Sequence, residues 1–256
     1  MAHNQLTIVS VHGHTDGSAT LPSIIRSMRE LPGSKGLLIS PAKPINIPDN
    51  IEWKQCFPFD YRGYSTFIMH CLHEYIVTDY CLIVQDDGWV LDGNNWRDEY
   101  YTYDYIGGIT HAGLVGNTLH LGFDWTNHKD PILVLNGGFS LRSKRFLEAP
   151  SKLGIVQTYN EEIHLWNEDI QLTGIYKGIL QNYDIRFAPE DVAKEFAVEY
   201  FAPGYNDKIN LDELVGIHGQ SRKLVSKYCV EFSANAFGEK RLAEFLQNKG
   251  YKIKWM

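Results

Sequence analysis

Three short runs of apolar residues constrain this chain to a layered α/β arrangement. Leu6–Val11, Gly36–Ser40 and Tyr80–Val84 have the length and the apolar character of buried strands. A helix that Thr20 caps, with Pro22 in its first turn, is predicted between the first two runs. Strands joined by a helix pair in parallel through a right-handed crossover. The sequence therefore predicts an α/β fold with a mostly parallel central sheet and helices on both faces.

Residue spacing predicts further helices and strands along the chain. These are helices at Ser65–Thr78, Leu165–Leu180 and Ala236–Gly250, and strands at Ile51–Trp53 and Ile132–Leu135. The stretch from Asn94 to Asn127 is rich in Gly, Tyr, Trp and His and shows little periodicity. We expect it to be a long, irregular region that faces a substrate.

Composition limits the class of protein. The 256 residues are 44% hydrophobic and 21% charged, as in globular proteins that bury a core. The formal charge of −7 argues against a broadly basic nucleic-acid-binding protein. No apolar run reaches the roughly 20 residues needed to cross a bilayer, and the polar N-terminus lacks the pattern of a signal peptide. Since the four cysteines show no metal-binding spacing and are expected to be reduced, a cytoplasmic location is predicted.

Two acidic residues follow the third buried run directly, in Gln85-Asp86-Asp87-Gly88. Ligands collect beyond the carboxyl ends of parallel strands, so this pair is expected at the edge of a cleft. Carboxylate oxygens suit Mg²⁺ or Mn²⁺, which neutralises the charge of a departing diphosphate. Acid pairs are common, however, and this one alone is weak support for a metal site.

Two later motifs, one rich in glycine and one acidic, lie at the predicted ends of strands or helices. Asn136-Gly137-Gly138-Phe139-Ser140 is expected to be a turn whose glycines let the backbone approach a ligand, although an ordinary loop explains it equally well. Asn167-Glu168-Asp169 begins a predicted helix, where the macrodipole favours acids. A carboxylate at this position is also the type of group that removes a proton from an acceptor hydroxyl.

His218 lies between Gly216 and Gly219, late in the chain. A single histidine is usually structural or exposed. The flanking glycines indicate close backbone approach to another group, and a neutral imidazole can bind a metal ion.

Taken in order, these motifs resemble those of glycosyltransferases of the GT-A fold. Gln85-Asp86-Asp87 resembles the Glu-Asp-Asp variant of that family's metal- and diphosphate-binding motif, with Gln85 in place of its first acid. Gly137 and Gly138 match its glycine-rich turn. Asn167-Glu168-Asp169 matches its catalytic motif, and His218 matches its late metal-binding histidine.

The resemblance implies a single GT-A, Rossmann-like domain with hexosyl- or pentosyltransferase activity. A closer similarity to glycosyltransferase-like bacterial and viral proteins covers about Leu6 to Gly219, so residues 1–219 are predicted to form this domain and residues 220–256 a C-terminal helical extension packed on it. A UDP-sugar donor is expected, with Mn²⁺ or Mg²⁺ held by Asp87 and His218. Asp169, with Glu168 beside it, would deprotonate an acceptor hydroxyl, giving inversion.

The resemblance also suggests residues that contact the donor. They are His12, Asp16, Arg62, Ser65, Gln85, Asp86, Gly137 and Gly138. Arg62 and Ser65 lie near the predicted start of a helix, which suits a diphosphate.

Several alternatives for the acceptor and the function stay open at this stage. One possible acceptor is a glycan. The other, in a viral protein within host cytoplasm, is a hydroxymethylated base of DNA. The basic residues between Arg222 and Lys254 could contact the phosphates of that DNA. A non-catalytic module that binds a nucleotide-sugar or glycan also stays open, because Gln85 replaces the usual first acid. A nucleotidyltransferase is disfavoured, because no glycine-rich, lysine-bearing loop follows the first strand.

Overall fold

The computed structural model describes residues 2–115, 118–121, 132–159, 166–199, 201 and 208–256. Its strands, in chain order, are β1 (Leu6–Val11), β2 (Lys35–Ser40), β3 (Ile51–Gln55), β4 (Tyr80–Ile83), β5 (Gly88–Val90), β6 (Tyr105–Val115), β7 (Thr118–Leu121), β8 (Ile132–Ser143), β9 (Ala197–Val198), β10 (Gly216–His218), β11 (Arg222–Ser226), β12 (Cys229–Phe232) and β13 (Lys252–Trp255). Its α-helices are α1 (Leu21–Glu30), α2 (Tyr61–His70), α3 (Leu72–Tyr75), α4 (Lys144–Lys152), α5 (Glu168–Ile170), α6 (Lys177–Asn182), α7 (Glu190–Phe196) and α8 (Lys240–Asn248).

The predicted α/β class is confirmed by a central sheet of seven strands, in the order β3-β2-β1-β4-β8-β6-β7. Strands β1 to β4 pair in parallel, as the apolar runs predicted. Alternate residues of β1 face opposite sides of the sheet. Ile8 packs in one apolar cluster with Ile24 of α1, and Val9 packs in another with Phe67 of α2. Helices therefore cover both faces of the parallel half.

The other half of the sheet is antiparallel, which corrects the expectation of an irregular region from Asn94 to Asn127. Strand β8 lies between β4 and β6 and runs against both, and β7 runs against β6. Within the predicted irregular region, Tyr105–Val115 is a long strand and Thr118–Leu121 is its hairpin partner, while residues 116–117 and 122–127 lie outside the described residues. Five of the seven strands still point the same way.

The glycine motif lies inside β8 and is not a turn between two elements. Gly107 of β6 pairs with Ser140, and Ile109 pairs with Leu135. One residue on β6 is therefore opposite four on β8, from Asn136 to Phe139. A bulge of this kind bends the strand and leaves backbone groups unpaired with the neighbouring strand. The sheet thus presents the Gly137–Gly138 backbone to its surroundings.

A small second sheet, in the order β5-β10-β9, joins the acidic motif to the histidine motif. His218 of β10 lies opposite Gly88 of β5 in an antiparallel pair. Strand β9 pairs in parallel with the other edge of β10, with Val198 opposite Ile217. Residues 130 positions apart in sequence therefore become neighbours through backbone hydrogen bonds.

The C-terminal segment contains more strand than predicted. Only Lys240–Asn248 of the predicted helix Ala236–Gly250 is α-helical, and β11, β12 and β13 form a three-stranded sheet beside it. Their apolar residues pack in one cluster with Trp89 of β5 and Ile217 of β10. The segment is therefore a mixed α/β layer against the second sheet, and the boundary after residue 219 stays a prediction.

Helix boundaries also differ from the sequence-based expectations. The helix predicted to begin at Ser65 begins at Tyr61, because the Asp60 side chain accepts a hydrogen bond from the Gly63 backbone N–H at 2.8 Å and caps it. The predicted helix Leu165–Leu180 is split into α5, a π-helical turn at Gln171–Ile175 and α6, and residue 165 lies outside the described residues.

The structure also describes the hydrophobic length of the helices and the pairing of the cysteines. In the ranges that the structure describes, no helix is long and apolar enough to cross a membrane. All four cysteines are unpaired.

Candidate active site

Residues from all four sequence motifs line one cavity of about 460 Å³. It opens beyond the carboxyl end of β4, beside the bulge in β8 and the start of α5. The predicted site residues that line it are Gln85, Asp87, Gly137, Gly138, Glu168, Asp169 and His218. The four motifs, which are far apart in the sequence, thus lie together in one place in the structure.

The acidic motif forms a tight turn that directs its two aspartates to different places. Gln85 and Gly88 exchange backbone hydrogen bonds of 3.1 Å, which close the turn between β4 and β5. Asp87 is buried and lines the cavity. Asp86 lines a neighbouring cavity and pairs with Lys223 at 3.0 Å.

His218 contacts both side chains that the acidic motif turns toward the cavity. Its Nε2 lies 3.3 Å from Asp87 Oδ1 and 3.2 Å from Gln85 Oε1. The Gln85 amide is oriented by Tyr64, whose hydroxyl oxygen accepts a hydrogen bond from Gln85 Nε2 at 3.0 Å. The carbonyl oxygen of Gln85 therefore faces His218.

The other nitrogen of His218 contacts Glu199, a residue that the sequence gave no reason to single out. Nδ1 lies 2.6 Å from Glu199 Oε2, and both side chains are almost wholly buried. Burial disfavours the charged imidazole, but the Glu199 and Asp87 carboxylates outweigh it and raise the pKa of His218 to about 10. Burial likewise opposes ionisation of Asp87, yet His218 holds its pKa below the ordinary value.

The two glycines are required by the close packing of side chains around them. A Cβ atom on Gly138 would overlap His218 Nε2 and lie 2.7 Å from Gln85 Oε1. A Cβ atom on Gly137 would lie 2.5 Å from Glu168 Oε1. The structure therefore supports the predicted close backbone approach, and a side chain at either position would displace a residue that lines the cavity.

Asp169 is held by backbone groups on both carboxylate oxygens. Oδ2 accepts a hydrogen bond from Gly137 N–H at 2.9 Å, and Oδ1 accepts one from Ile170 N–H at 2.8 Å. Burial, and then the adjacent Glu168 carboxylate, raise the pKa of Asp169 to about 7, although both backbone bonds oppose the shift. A carboxyl group with a pKa near neutral pH is suited to accept a proton.

Glu168 is oriented differently, in a buried ion pair with Arg142. Arg142 Nη2 lies 2.8 Å from Glu168 Oε1, and the Arg142 side chain is fully buried. Arg142 also donates to Ser140 Oγ and to the Gly137 carbonyl oxygen. The pair thus connects the start of α5 to the bulge of β8 and stabilises the position of Asp169.

The side chains present fit a divalent cation at the Asp87 end of the cavity. Asp87 Oδ1 is buried and accepts no hydrogen bond of good geometry, and it faces Gln85 Oε1 across His218 Nε2. Within the described ranges no group of three or more His, Cys, Asp or Glu side chains converges on a metal position, because Glu199 occupies the far side of the imidazole. A carboxylate, an amide carbonyl and an imidazole are nonetheless suitable ligands for Mn²⁺ or Mg²⁺, provided that His218 Nε2 is deprotonated.

Comparison with known proteins places most of this cavity lining within one family. The family described as "Protein of unknown function (DUF5672)" matches residues 51–218, which is 168 of the 256 residues. The chain belongs to this family. The matched region includes the first three motifs and His218, and it excludes His12, Asp16, Gly219 and the C-terminal layer.

Two further comparisons concern the whole chain of this DUF5672 protein. No curated protein matches its sequence. A solved structure, described as a crystal structural analysis of an active-site mutant of LgtC, is similar at a TM-score of 0.48 and 13% identity and covers 95% of each chain.

The remaining predicted donor-binding residues are not all near the main cavity. His12 and Asp86 line a second cavity of about 270 Å³ that shares Tyr61, Tyr64 and Gln85 with the first. His12 Nε2 is buried there without a hydrogen-bond partner. Burial lowers the pKa of His12.

Asp16, Arg62 and Ser65 line neither of these two cavities. Asp16 accepts a hydrogen bond from Ser18 N–H at 3.0 Å, and Ser65 is buried inside α2. The Arg62 guanidinium lies 5.2 Å from the centre of the Trp166 ring. The earlier start of α2 explains this placement, since Ser65 occupies the second turn of the helix and not its N-terminus.

The basic C-terminal stretch of this DUF5672 chain is extensively paired with acids. The ion pairs are Arg222 with Glu239, Lys223 with Asp86, Lys249 with Asp212 and Lys254 with Glu231. The Lys227 ammonium lies over the Tyr228 ring. Because these carboxylates lie so close to the basic side chains, they cancel much of the positive field that would attract DNA phosphates.

Sequence reasoning missed three residues that shape the site. Tyr61 lines both cavities, Tyr64 orients Gln85, and Glu199 contacts His218. The two tyrosines share one face at helical spacing on α2, and the cap at Asp60 is a signal that would have placed them. Glu199 follows a two-residue strand and has no local signal.

Proposed function

We propose that this protein is a glycosyltransferase that moves a sugar from a UDP-sugar donor to an acceptor hydroxyl. The observation that supports it best is the arrangement of the main cavity. The Asp87–His218 pair and the Asp169 carboxylate both line it, with the Gly137–Gly138 bulge between them. Such a site can bind a charged diphosphate at one end and accept a proton at the other.

The donor diphosphate would lie at the Asp87 end. Asp87 Oδ1, His218 Nε2 and the Gln85 carbonyl oxygen would hold Mn²⁺ or Mg²⁺. A bound cation there would neutralise the negative charge that grows on the departing nucleoside diphosphate. The nucleotide would extend toward the second cavity, where His12 Nε2 has no partner and Asp86 lies at the edge.

Asp169 would act as the base at the other end of the cavity. Its carboxylate would take the proton of the acceptor hydroxyl while the acceptor oxygen bonds to the anomeric carbon. The bond from that carbon to the diphosphate oxygen breaks, and its electron pair leaves with the UDP. Attack from the side opposite the diphosphate gives inversion. The hydrogen bonds from Gly137 and Ile170 fix the carboxylate in place, as a positioned base requires.

Glu168 would position this base and would not transfer the proton itself. Its ion pair with Arg142 takes up one carboxylate oxygen and holds the start of α5 against β8. Replacement of Glu168 would therefore affect catalysis by changing the position of Asp169, and it would affect stability by breaking the buried ion pair.

The acceptor is proposed to be a glycan. Charge favours it over hydroxymethylated DNA, because acids neutralise the basic side chains closest to the C-terminal sheet. Retention on a DNA column at low salt, lost at high salt, would support the DNA acceptor. Passage through the column at low salt would support the glycan.

The melting temperature with UDP plus Mn²⁺, compared with either alone, tests the donor site. A ligand at about 100 times its Kd adds about 2.7 kcal/mol to the free energy of unfolding, which shifts Tm by several degrees. We expect a shift that needs both ligands and that Asp87→Ala abolishes. Asp79→Ala, an exposed aspartate before β4, is the matched control. No shift with any nucleoside diphosphate would overturn the proposal.

Turnover separates an enzyme from a binding module. A screen of UDP-sugars for release of UDP, without and with candidate glycans, would detect hydrolysis or transfer. Binding of UDP and Mn²⁺ with no turnover of any donor would favour the non-catalytic nucleotide-sugar or glycan binding module, which Gln85 leaves open.

A further inference from the structure

Glu199 is brought to the back of His218 by the parallel pairing of β9 and β10. Val198, the last residue of β9, lies opposite Ile217, which brings Glu199 directly after β9 next to His218 of β10. The Glu199 carboxylate is 12% exposed and the His218 side chain is 8% exposed. A buried carboxylate in this position needs a partner, and the imidazole supplies it.

The backbone around Glu199 is fixed from two directions. Arg222 Nη2 donates a hydrogen bond of 2.8 Å to the Glu199 carbonyl oxygen. Gly219 has a φ of +157°, and a Cβ atom there would overlap the same carbonyl oxygen. The carboxylate is thus attached to a segment with little freedom to move away from His218.

The two nitrogens of His218 therefore have different partners. Nδ1 contacts the Glu199 carboxylate at 2.6 Å, while Nε2 faces Asp87 Oδ1 and Gln85 Oε1 at the cavity. A carboxylate that accepts a hydrogen bond from one ring nitrogen fixes the orientation of the ring, and a cation that binds the other nitrogen displaces the proton there.

We propose that Glu199 is a positioning residue that holds His218 with Nδ1–H toward the protein and Nε2 toward the cation site. This inference rests on the proposed function, because it assigns the nitrogen that would bind the metal. Glu199 also lines the main cavity, but its carboxylate is held against Nδ1 and not against Nε2. It sets the ring orientation, so that Asp87 and Gln85 meet only one of the two nitrogens.

Mn²⁺ affinity of Glu199 variants tests this role without any need for turnover. Electron paramagnetic resonance titration of the full chain with Mn²⁺, with and without UDP, gives the Kd. We expect Glu199→Ala to weaken Mn²⁺ binding 10- to 100-fold. Glu199→Gln keeps an acceptor oxygen for Nδ1–H and should lose less. Glu195→Gln, an exposed glutamate on α7 paired with Arg97, should match the wild type.

A second measurement identifies the nitrogen directly. Nitrogen-15 NMR of the imidazole, with Zn²⁺ as a diamagnetic probe ion, distinguishes a metal on Nε2 from one on Nδ1. The wild type should show only Nε2 ligation with Nδ1 protonated, and Glu199→Ala should show a mixture. If Glu199 had only a structural role, its replacement by alanine would lower Tm and leave the metal on Nε2 alone.

The outcomes separate the two proposals. Wild-type Mn²⁺ affinity in a folded Glu199→Ala variant, with Nε2 ligation intact, would overturn the role of Glu199 and leave the proposed function standing. Absence of Mn²⁺ binding by the wild type, even with UDP, would overturn both the cation site and the role of Glu199.

Discussion

The Asp169 carboxylate accepts a hydrogen bond from the Gly137 backbone N–H at 2.9 Å, across 32 positions of sequence. This bond connects the Asn167-Glu168-Asp169 motif at the start of α5 with the glycine motif inside β8. Gly137 also contributes its carbonyl oxygen to Arg142, which pairs with Glu168. Two motifs that are each weak in sequence are thus parts of one hydrogen-bonded structure, and changes in either should affect the other.

Asp169→Asn should nearly abolish transfer while leaving donor binding intact. The amide is nearly the same size and keeps one oxygen for the backbone N–H groups, but it cannot accept the acceptor proton. Loss of a positioned base typically lowers the rate about 10²- to 10⁴-fold. Initial rates with a donor found by screening, and the Tm shift with UDP and Mn²⁺, measure the two effects. Full activity in this variant would remove Asp169 from the mechanism, and Asp79→Asn is the matched control.

The raised pKa of Asp169 predicts a pH dependence of stability. The folded protein keeps a proton on Asp169 up to about pH 7, whereas the unfolded chain releases it near its ordinary value of 3.8. Because the folded state binds more protons in this window, the free energy of unfolding contributed by Asp169 falls as pH rises from about 4 to 7. Asp169→Asn removes this decline, so its Tm should rise relative to the wild type by a few degrees between pH 4 and 8.

Thermal unfolding of the wild type and Asp169→Asn across that pH range checks this prediction. The difference between the two proteins isolates Asp169 from other titrating groups, provided that their pKa values are the same in both. A difference in Tm that stays constant from pH 4 to pH 8 would contradict the raised pKa. Transfer activity, which needs the carboxylate form, should increase as pH rises through about 7.

Gly138→Ala should destabilise the protein and weaken Mn²⁺ binding. Its methyl group would overlap His218 Nε2, and the imidazole cannot move back because Glu199 lies behind it. Overpacking of this kind costs about 1–3 kcal/mol. Urea unfolding and Mn²⁺ titration measure the two losses.

Gly178→Ala is the control for this substitution. Gly178 lies in α6, and a Cβ atom there would meet nothing within 4 Å. Replacing a helical glycine by alanine stabilises by roughly 0.5–1 kcal/mol. Equal unfolding and Mn²⁺ binding curves for the two variants would show that the space around Gly138 is not as tight as the structure indicates.

Arg142→Met should lower stability strongly, because it leaves the Glu168 carboxylate buried without its partner. Breaking a buried ion pair by removing one member costs about 3–5 kcal/mol. Equilibrium unfolding in urea measures the loss. Lys152→Ala, which breaks an exposed pair with Glu148, should change stability by less than about 1 kcal/mol.

The double variant Arg142→Met/Glu168→Leu separates pairing from packing. If the cost comes from the unpaired carboxylate, the double variant should be more stable than Arg142→Met alone. A double variant that loses the sum of both single effects would instead assign the cost to packing and to the other hydrogen bonds of Arg142.

The parallel half of the sheet and one end of the site could be predicted from sequence because their signals are local. Leu6–Val11 is a mostly apolar run and Tyr80–Val84 a continuous one, and Leu6–Val11 and Cys81–Ile83 are buried as predicted. Asp87 could be placed at a cavity because it directly follows such a strand. The predicted turn at Gly137 and Gly138 was wrong in form, since the strand continues through it, but its close approach to other groups was anticipated.

The sequence by itself determined which residues have side chains suited to the chemistry and which segments are buried. Only the tertiary structure decided that Glu199 contacts His218 and that Glu168 pairs with Arg142, while Asp169 bonds to Gly137. Those choices depend on strand order and on the bulge in β8, which set the distances between residues remote in sequence. Hydrogen bonds and ion pairs act only within a few ångströms, so periodicity along the chain carries no record of them.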